Sequence, residues 1–179
     1  EFGSGTGVLS DLDAVDGEVA YPPTLPIGPG ILALNVNGDS DDVRYFALST
    51  PGQAPLILNN WGLAAGERLL STSLLQRKNA QSQVIGNSIL AATTASRILS
   101  VDVTSPTSQA TVVATIPRVL SPVLGFASYI YGIRTSFKTG RVYVSDSNAR
   151  AVRALAPLAA GSGYQLIPLT PDTNGILYT

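Results

Sequence analysis

The densest group of acidic side chains lies in the predicted turn 37–42 (NGDSDD), which contributes Asp39, Asp41 and Asp42. Carboxylate, amide and hydroxyl oxygens are the ligands that Ca²⁺ prefers, so these three aspartates are candidate calcium ligands. The segment lacks the spacing and the distal Glu of an EF-hand loop. Asn, Gly, Asp and Ser are also the ordinary residues of a hairpin turn. A calcium site and a solvated turn therefore both stay open, and no other cofactor is expected.

Aromatic side chains near amides or carboxylates form a second set of candidates. Trp61 follows two asparagines, and an exposed aromatic ring beside an amide can stack on a sugar ring. Two tyrosines fall in a predicted hairpin, one strand of which ends at an aspartate. We predict that a ligand contacts Trp61, Asn60, Tyr131, Tyr143 and Asp146. The alternative is that the aromatic residues belong to the core and that the aspartate bonds main-chain amides in a turn.

The composition excludes several kinds of catalytic site. The chain has no His and no Cys, so it forms no Ser-His-Asp triad, no thiol nucleophile and no zinc knuckle. The acidic stretch 11–18 has no spacing that sets two carboxylates across a cleft, as glycoside hydrolysis requires. Lys78 and Lys138 lie outside any recognisable Ser-Lys motif. We predict no catalytic residue and favour a non-enzymatic protein.

The charge balance bears on the partners. The 179 residues include 11 Lys+Arg and 12 Asp+Glu, a formal net charge of −1, and 13% of the residues are charged. A net charge so near zero argues against nucleic acid and against an anionic membrane surface. Hydrophobic residues make up 45% of the chain, and monomers seldom expose large apolar patches. We therefore expect a homo-oligomer or a partner chain that covers part of the surface.

The sequence divides into three parts that would position these residues. Residues 1–7 (EFGSGTG) have the composition of a vector-derived tail and are not expected to belong to the fold. Residues 8–30 are acidic and then Pro-rich, which predicts an extended N-terminal arm. Residues 31–179 are predicted to form a single all-β domain.

Three look-alike units organise this domain, at 31–60, 84–117 and 126–170. Each unit is a strand, a turn, a second strand, a Gly/Pro turn and a third strand, which predicts antiparallel β-meanders. Their spacing of about 50 residues is near that of β-propeller blades. We predict three propeller-like blades, with a β-barrel or sandwich as the alternative. Residues 63–78 fit either a short helix or the first strand of the second unit, and 148–160 are predicted to be a strand.

The third unit resembles a blade of the NHL and SMP-30 (gluconolactonase-like) propellers, in its segments 131–147 (YGIRTSFKTGRVYVSDS) and 148–155 (NARAVRAL). Residues 97–103 and 43–49 are similar to the third strand of such blades. The resemblance implies a closed ring, and three blades are too few to close one. The chain would then be a fragment or one half of a ring. The lactonase-type members hold a metal, but the Glu-Gly-Pro, Pro-Asn-Gly and Pro-Asp-Gly segments that would supply ligands have no counterpart here.

A second resemblance concerns residues 142–147 (VYVSDS), which are similar to a strand of the projecting spike domain of hepevirus capsid proteins. The Pro-rich stretch 21–30 would serve as the hinge of such a spike. Together these observations predict a propeller-type binding module that presents loops to a protein or glycan. A viral or surface spike domain and a metal-dependent lactonase-like hydrolase are the alternatives. The compartment stays open, with an extracellular or virion-surface location preferred.

Overall fold

The computed structural model describes residues 8–15, 30–36, 40–78, 84–103, 105, 107–116, 130–136, 139–146, 151–157, 164–167, 170–171 and 177–178. Every regular element in these ranges is a β-strand. None of the described residues belongs to a helix that is long and apolar enough to span a membrane. In chain order the strands are β1 (Val8–Val15), β2 (Gly30–Val36), β3 (Asp41–Ala47), β4 (Leu56–Leu58), β5 (Leu69–Lys78), β6 (Val84–Thr93), β7 (Arg97–Asp102), β8 (Thr111–Thr115), β9 (Ile130–Thr135), β10 (Val142–Asp146), β11 (Ala151–Pro157), β12 (Tyr164–Leu166), β13 (Thr170–Pro171) and β14 (Leu177–Tyr178).

The strands form three four-stranded antiparallel sheets and one two-stranded ribbon. The first sheet pairs β1 to β4 in chain order, the second pairs β5 to β8, and the third pairs β9 to β12. The ribbon consists of β13 and β14. Each four-stranded sheet is therefore a simple meander, and the predicted all-β class is confirmed. The sheets do not close into a barrel within the described ranges.

Three segments show how well the local sequence pattern predicted the secondary structure. Residues 8–15 form strand β1 and pair with β2, where the sequence suggested an arm. Their sequence, VLSDLDAV, alternates acidic and apolar residues around Leu12, which is a strand signal that the acidic composition hid. Residues 63–78 contain strand β5 rather than a helix. The predicted strand within 148–160 is confirmed as β11, and Pro157 is its last residue, where a missing N–H is tolerated.

The second sheet is buried on both faces because successive side chains of a strand point to opposite sides. In β6, Ile89 and Ala91 face the first sheet, whereas Leu90 and Ala92 face the third. One core cluster joins the first two sheets, and a separate cluster joins the second and third. The continuous apolar run in β6 follows from this double burial.

Strand β5 lies beside both β1 and β9, so the three sheets meet along their first strands. Side chains join β5 to β9. The Ser71 hydroxyl accepts a hydrogen bond from the Ile133 N–H at 3.2 Å, and the Thr135 hydroxyl donates to the Leu74 carbonyl. The serine and threonine side chains of β5 can therefore be buried, because hydrogen bonds to strand β9 satisfy polar groups at this contact.

Candidate functional site

The third sheet has one face against the core and one face that is partly exposed. We call the second the outer face of the third sheet and define it by Tyr131, Gly132, Tyr143, Ser145 and Val152. Ser145 of β10 pairs with Val152 of β11, and these two side chains lie on the same side of the sheet. Val142 and Val144 of the same strand point the other way, into the core between the second and third sheets.

A β-bulge positions the exposed aromatic residue of this face. Val144 pairs with Ile133 and Asp146 pairs with Ile130, so Tyr131 and the glycine after it both lie opposite one residue of β10. Both isoleucines are buried although they are three positions apart, which strict alternation forbids and a bulge allows. Tyr131 is left 59% exposed.

The Ser145 hydroxyl holds the bulge in place. It accepts hydrogen bonds from the main-chain N–H of Tyr131 at 3.2 Å and of Gly132 at 2.8 Å. An extra residue in a strand leaves main-chain groups without ladder partners, and a side-chain acceptor restores the lost bonds. The orientation of Tyr131 is thus built into the sheet.

Apolar or small residues make up the middle of the outer face, and the exposed side chains of Arg134 and Gln165 lie on its two edge strands. Val152 is 54% exposed and Tyr143 is half-buried. The nearest charged side chain in register is Arg134, which pairs with Tyr143 across the strands. Its Nη1 donates to the carbonyl oxygens of Thr72 at 3.3 Å and Ile133 at 2.7 Å, so its charge is directed at the edge of β5. The face therefore presents an aromatic and aliphatic surface bordered by the polar side chains of Arg134 and Gln165.

Asp146 lies on the opposite, core-facing side of the same sheet. It is 5% exposed and accepts a hydrogen bond from Arg153 Nη1 at 3.2 Å. A buried carboxylate is tolerated when a cation compensates it, and removing either partner would leave an unpaired buried charge. The structure thus separates Asp146 from Tyr131 and Tyr143, with which the sequence grouped it.

Trp61 and Asn60 belong to another part of the molecule, the connection between β4 and β5. Trp61 is 2% exposed, packs in the core between the first two sheets, and donates from its indole nitrogen to the Leu58 carbonyl at 2.8 Å. The core interpretation of Trp61 is therefore the one the structure supports. Asn60 is exposed, and its side-chain amide donates to the Thr107 carbonyl at 3.1 Å, while its main-chain carbonyl accepts from the Ala110 N–H. Asn60 therefore ties the β7–β8 connection to the first sheet.

The acidic turn is only partly described, because Asp39 lies outside the described residues. The Asp41 carboxylate is fully buried and accepts from the Leu69 N–H at 2.7 Å and from Arg68 Nε at 3.0 Å. Asp42, on the opposite side of the strand, is bound by Arg44 Nε at 2.8 Å. No group of three His, Cys, Asp or Glu side chains that could hold a metal occurs in the described ranges. The calcium site at Asp39, Asp41 and Asp42 stays a prediction.

A buried carboxylate that the sequence did not single out is Glu67. Arg97 Nε donates to it at 2.9 Å, the Ala64 N–H donates at 2.9 Å, and the Thr93 hydroxyl also donates. Burial raises the pKa of Glu67, but the hydrogen bonds from Arg97, Thr93 and Ala64 outweigh burial, so its pKa lies below the ordinary value. Glu67 therefore stays ionised and fastens the β4–β5 connection to the second sheet. Its side-chain partners Arg97 and Thr93 are distant in sequence, so no local pattern marked it.

These contacts decide what the arrangement can do chemically. The buried carboxylates Asp41, Glu67 and Asp146 are each bonded to an arginine. The oxygens of these three carboxylates are thus engaged in ion pairs inside the protein rather than presented to a ligand. Among the described residues, Tyr131 combines high exposure with main-chain hydrogen bonds to the Ser145 hydroxyl, so the outer face of the third sheet is suited to contact another surface.

Comparisons with protein-family models, with curated proteins and with solved structures found no match for this chain. The resemblances to NHL and SMP-30 propellers and to capsid spikes therefore remain predictions from the sequence.

Proposed function

We propose that this chain is a non-enzymatic interaction module that binds a protein partner through the outer face of the third sheet. The observation that carries the proposal is the exposed Tyr131, fixed by a bulge and by the Ser145 hydroxyl. Tyrosine is enriched among the residues that dominate protein–protein binding energy, because a rigid ring buries much area at little entropic cost.

Neighbouring residues support a protein partner over a sugar. Val152 is 54% exposed beside Ser145, and the charge of Arg134 is bonded to β5. A sugar ring needs several convergent polar groups for its hydroxyls, whereas a protein interface needs an apolar centre with a polar rim. The composition of this face fits the protein interface.

The scaffold is best described as propeller-type. Its three sheets are four-stranded meanders that meet along their first strands β1, β5 and β9. Such a scaffold is rigid because each sheet packs face to face on the next, so a surface on its outermost sheet is preorganised for binding. The resemblance of the third unit to NHL-type blades supports the same description.

The test uses two valines of matched exposure. Val152 lies on the outer face and is 54% exposed, and Val112 lies on β8 of the second sheet and is 52% exposed. A photo-reactive amino acid is placed at each position in turn, and the protein is irradiated with an extract of the cells that produce it. Adducts specific to position 152 are identified by mass spectrometry, and the partner is then purified and its Kd measured.

The expected result is a protein partner whose Kd rises about tenfold or more with Tyr131→Ala or Val152→Ser, equivalent to about 1.4 kcal/mol, and is unchanged with Val112→Ser. A partner that binds all variants equally would contradict the proposal. So would a glycan array in which binding depends on Tyr131 while no protein adduct forms at position 152.

A further inference from the structure

We infer that the partner of the outer face of the third sheet is a second copy of this chain, which contributes the outward face of its own first sheet. The inference rests on the proposed function and names its partner. It begins from a repeated interface. The same sheet-on-sheet packing joins the first sheet to the second and the second to the third, with β5 beside β1 and β9 beside β5.

The middle sheet shows what a sheet of this chain is like when both faces are covered. Its strands β6 and β7 carry apolar residues on both sides, and Leu90 and Ile98 are as fully buried as Ile89. The first and third sheets have one face each in a core cluster. Docking the third sheet of one chain against the first sheet of a second copy would repeat the sheet-on-sheet interface that already occurs within the chain.

The outward face of the first sheet carries apolar side chains on both sides of Arg44, which lies on strand β3. We define this face by the residues that alternate with the core positions of β2, β3 and β4, namely Ile31, Ala33, Asn35, Asp42, Arg44, Phe46 and Ile57. Ile57 is 47% exposed and pairs with Arg44 across the strands. Phe46 and Ile31 are half-buried and pair with each other.

The charges of this face are already neutralised. Arg44 Nε donates to Asp42 at 2.8 Å, and the Asn35 side-chain amide donates to the other oxygen of Asp42 at 3.0 Å. On the third sheet the charge of Arg134 is bonded to main-chain carbonyls. The Asp42–Arg44 ion pair and the carbonyl contacts of Arg134 lower the cost of docking the two faces, because a buried charge without such contacts is the costliest case.

The geometry of the stack favours a closed assembly over a fibre. The contact of the third sheet with the first is heterologous, so repeated docking yields either a ring or an open filament. The three sheets already approach one another along their first strands β1, β5 and β9, so a copy docked in the same way would bring its own first strands to the same line. We therefore expect a cyclic oligomer of defined mass.

The experiment measures mass by sedimentation velocity and light scattering for the wild type, Tyr131→Asp, Ile57→Asp and an equal mixture of the two variants. Val112→Asp, at a comparably exposed position outside both faces, is the control. The wild type and the control should associate, and each docking variant alone should be monomeric. The mixture should form pairs of one chain of each variant and grow no further, because each chain retains one intact face. Circular dichroism verifies folding, and Tyr131→Ser and Ile57→Ser replace any variant that fails to fold.

Each other outcome has a definite meaning. A wild type that stays monomeric up to about 100 µM overturns the second-copy inference, while Tyr131-dependent binding of a different protein would leave the proposed function standing. Association abolished by Tyr131→Asp but unaffected by Ile57→Asp shows pairing of two third sheets, which also overturns the inference alone. Association that survives both Tyr131→Asp and Ile57→Asp overturns the second-copy inference. If, in addition, no protein binds in a way that depends on Tyr131, the proposed function is overturned too.

Discussion

The hydroxyl of Ser145 accepts a hydrogen bond from the main-chain N–H of Tyr131, 3.2 Å away on the neighbouring strand. The same hydroxyl accepts from Gly132 at 2.8 Å, so one small side chain replaces the ladder bonds lost in a bulge. This contact connects the sheet's register to the exposure of the aromatic ring on which the proposed interface depends.

Replacing Ser145 with alanine should therefore lower stability and loosen Tyr131. Two main-chain donors lose their acceptor, at a cost of about 1 kcal/mol each in the free energy of unfolding, less where water replaces the hydroxyl. Urea unfolding measures the loss, and amide hydrogen exchange at Tyr131 and Gly132 should accelerate. Ser100→Ala, at a half-buried serine of β7, is the control and should change little. Equal losses in the two variants would contradict this role of Ser145.

A buried amide offers a stabilising substitution. Asn87 is fully buried opposite Gln76, and neither its Nδ2 nor its Oδ1 has a hydrogen-bond partner among the described residues. Leucine has a similar shape and no polar atoms, so Asn87→Leu should raise the free energy of unfolding by about 1–3 kcal/mol. Thermal and urea unfolding measure the change. A destabilised leucine variant would show instead that an internal water or another group satisfies the amide.

The ion pair between Glu67 and Arg97 predicts that the free energy of unfolding falls at acid pH. The folded-state pKa of Glu67 is lowered from 4.5, so its stabilising contribution is present above that value and is lost as the pH falls through the folded pKa. Glu67→Gln should cost about 1–3 kcal/mol at neutral pH, since Arg97 loses a charged partner. The difference between wild type and variant should shrink below pH 4.5 in unfolding curves. A difference that is constant down to pH 3 would contradict the pairing.

The raised pKa of the Tyr164 phenol predicts how the free energy of unfolding changes at alkaline pH. Burial raises its pKa to about 12, although the nearby Arg77 acts in the opposite direction. Because the folded pKa is above the ordinary value of 10.0, the stabilising contribution is complete below pH 10 and is lost as the pH rises toward 12. Tyr164→Phe should therefore move the alkaline unfolding transition to higher pH. An unchanged transition in the variant would show that another group controls it.

A glycine in the first sheet should tolerate no side chain. A Cβ on Gly30 would lie 2.3 Å from Tyr45 Cε2 and 2.4 Å from the main-chain oxygen of Phe46. Because the second contact is with main chain, Gly30→Ala should cost about 1–3 kcal/mol or more of unfolding free energy. At Gly132 the nearest atom would be 3.5 Å away, an ordinary contact, so Gly132→Ala should be milder. Thermal unfolding of both variants compares them, and equal losses would contradict the packing argument.

The pattern of apolar residues was enough to predict most of the strands. The short apolar runs around Leu32, Val43, Leu99 and Val142 are bounded by turn residues, and each lies in a strand of the structure. Strand β1 was missed because its acidic residues suggested a solvated arm, and the bulge at Tyr131 was missed because period two is broken there. Candidate site residues were harder, since a sequence shows residue type but not which side of a sheet a residue occupies.

The sequence by itself determined the all-β class, the antiparallel pairing of most consecutive strands and the absence of histidine and cysteine chemistry, because residue types and turns are local properties of the chain. Only the tertiary structure decided that Trp61 is buried, that Asp146 faces the core while Tyr131 faces outward, and that Glu67 pairs with Arg97. Those outcomes depend on which sheet packs against which face. That packing is set by contacts between residues far apart in sequence, and a one-residue change of register or a single bulge reverses it.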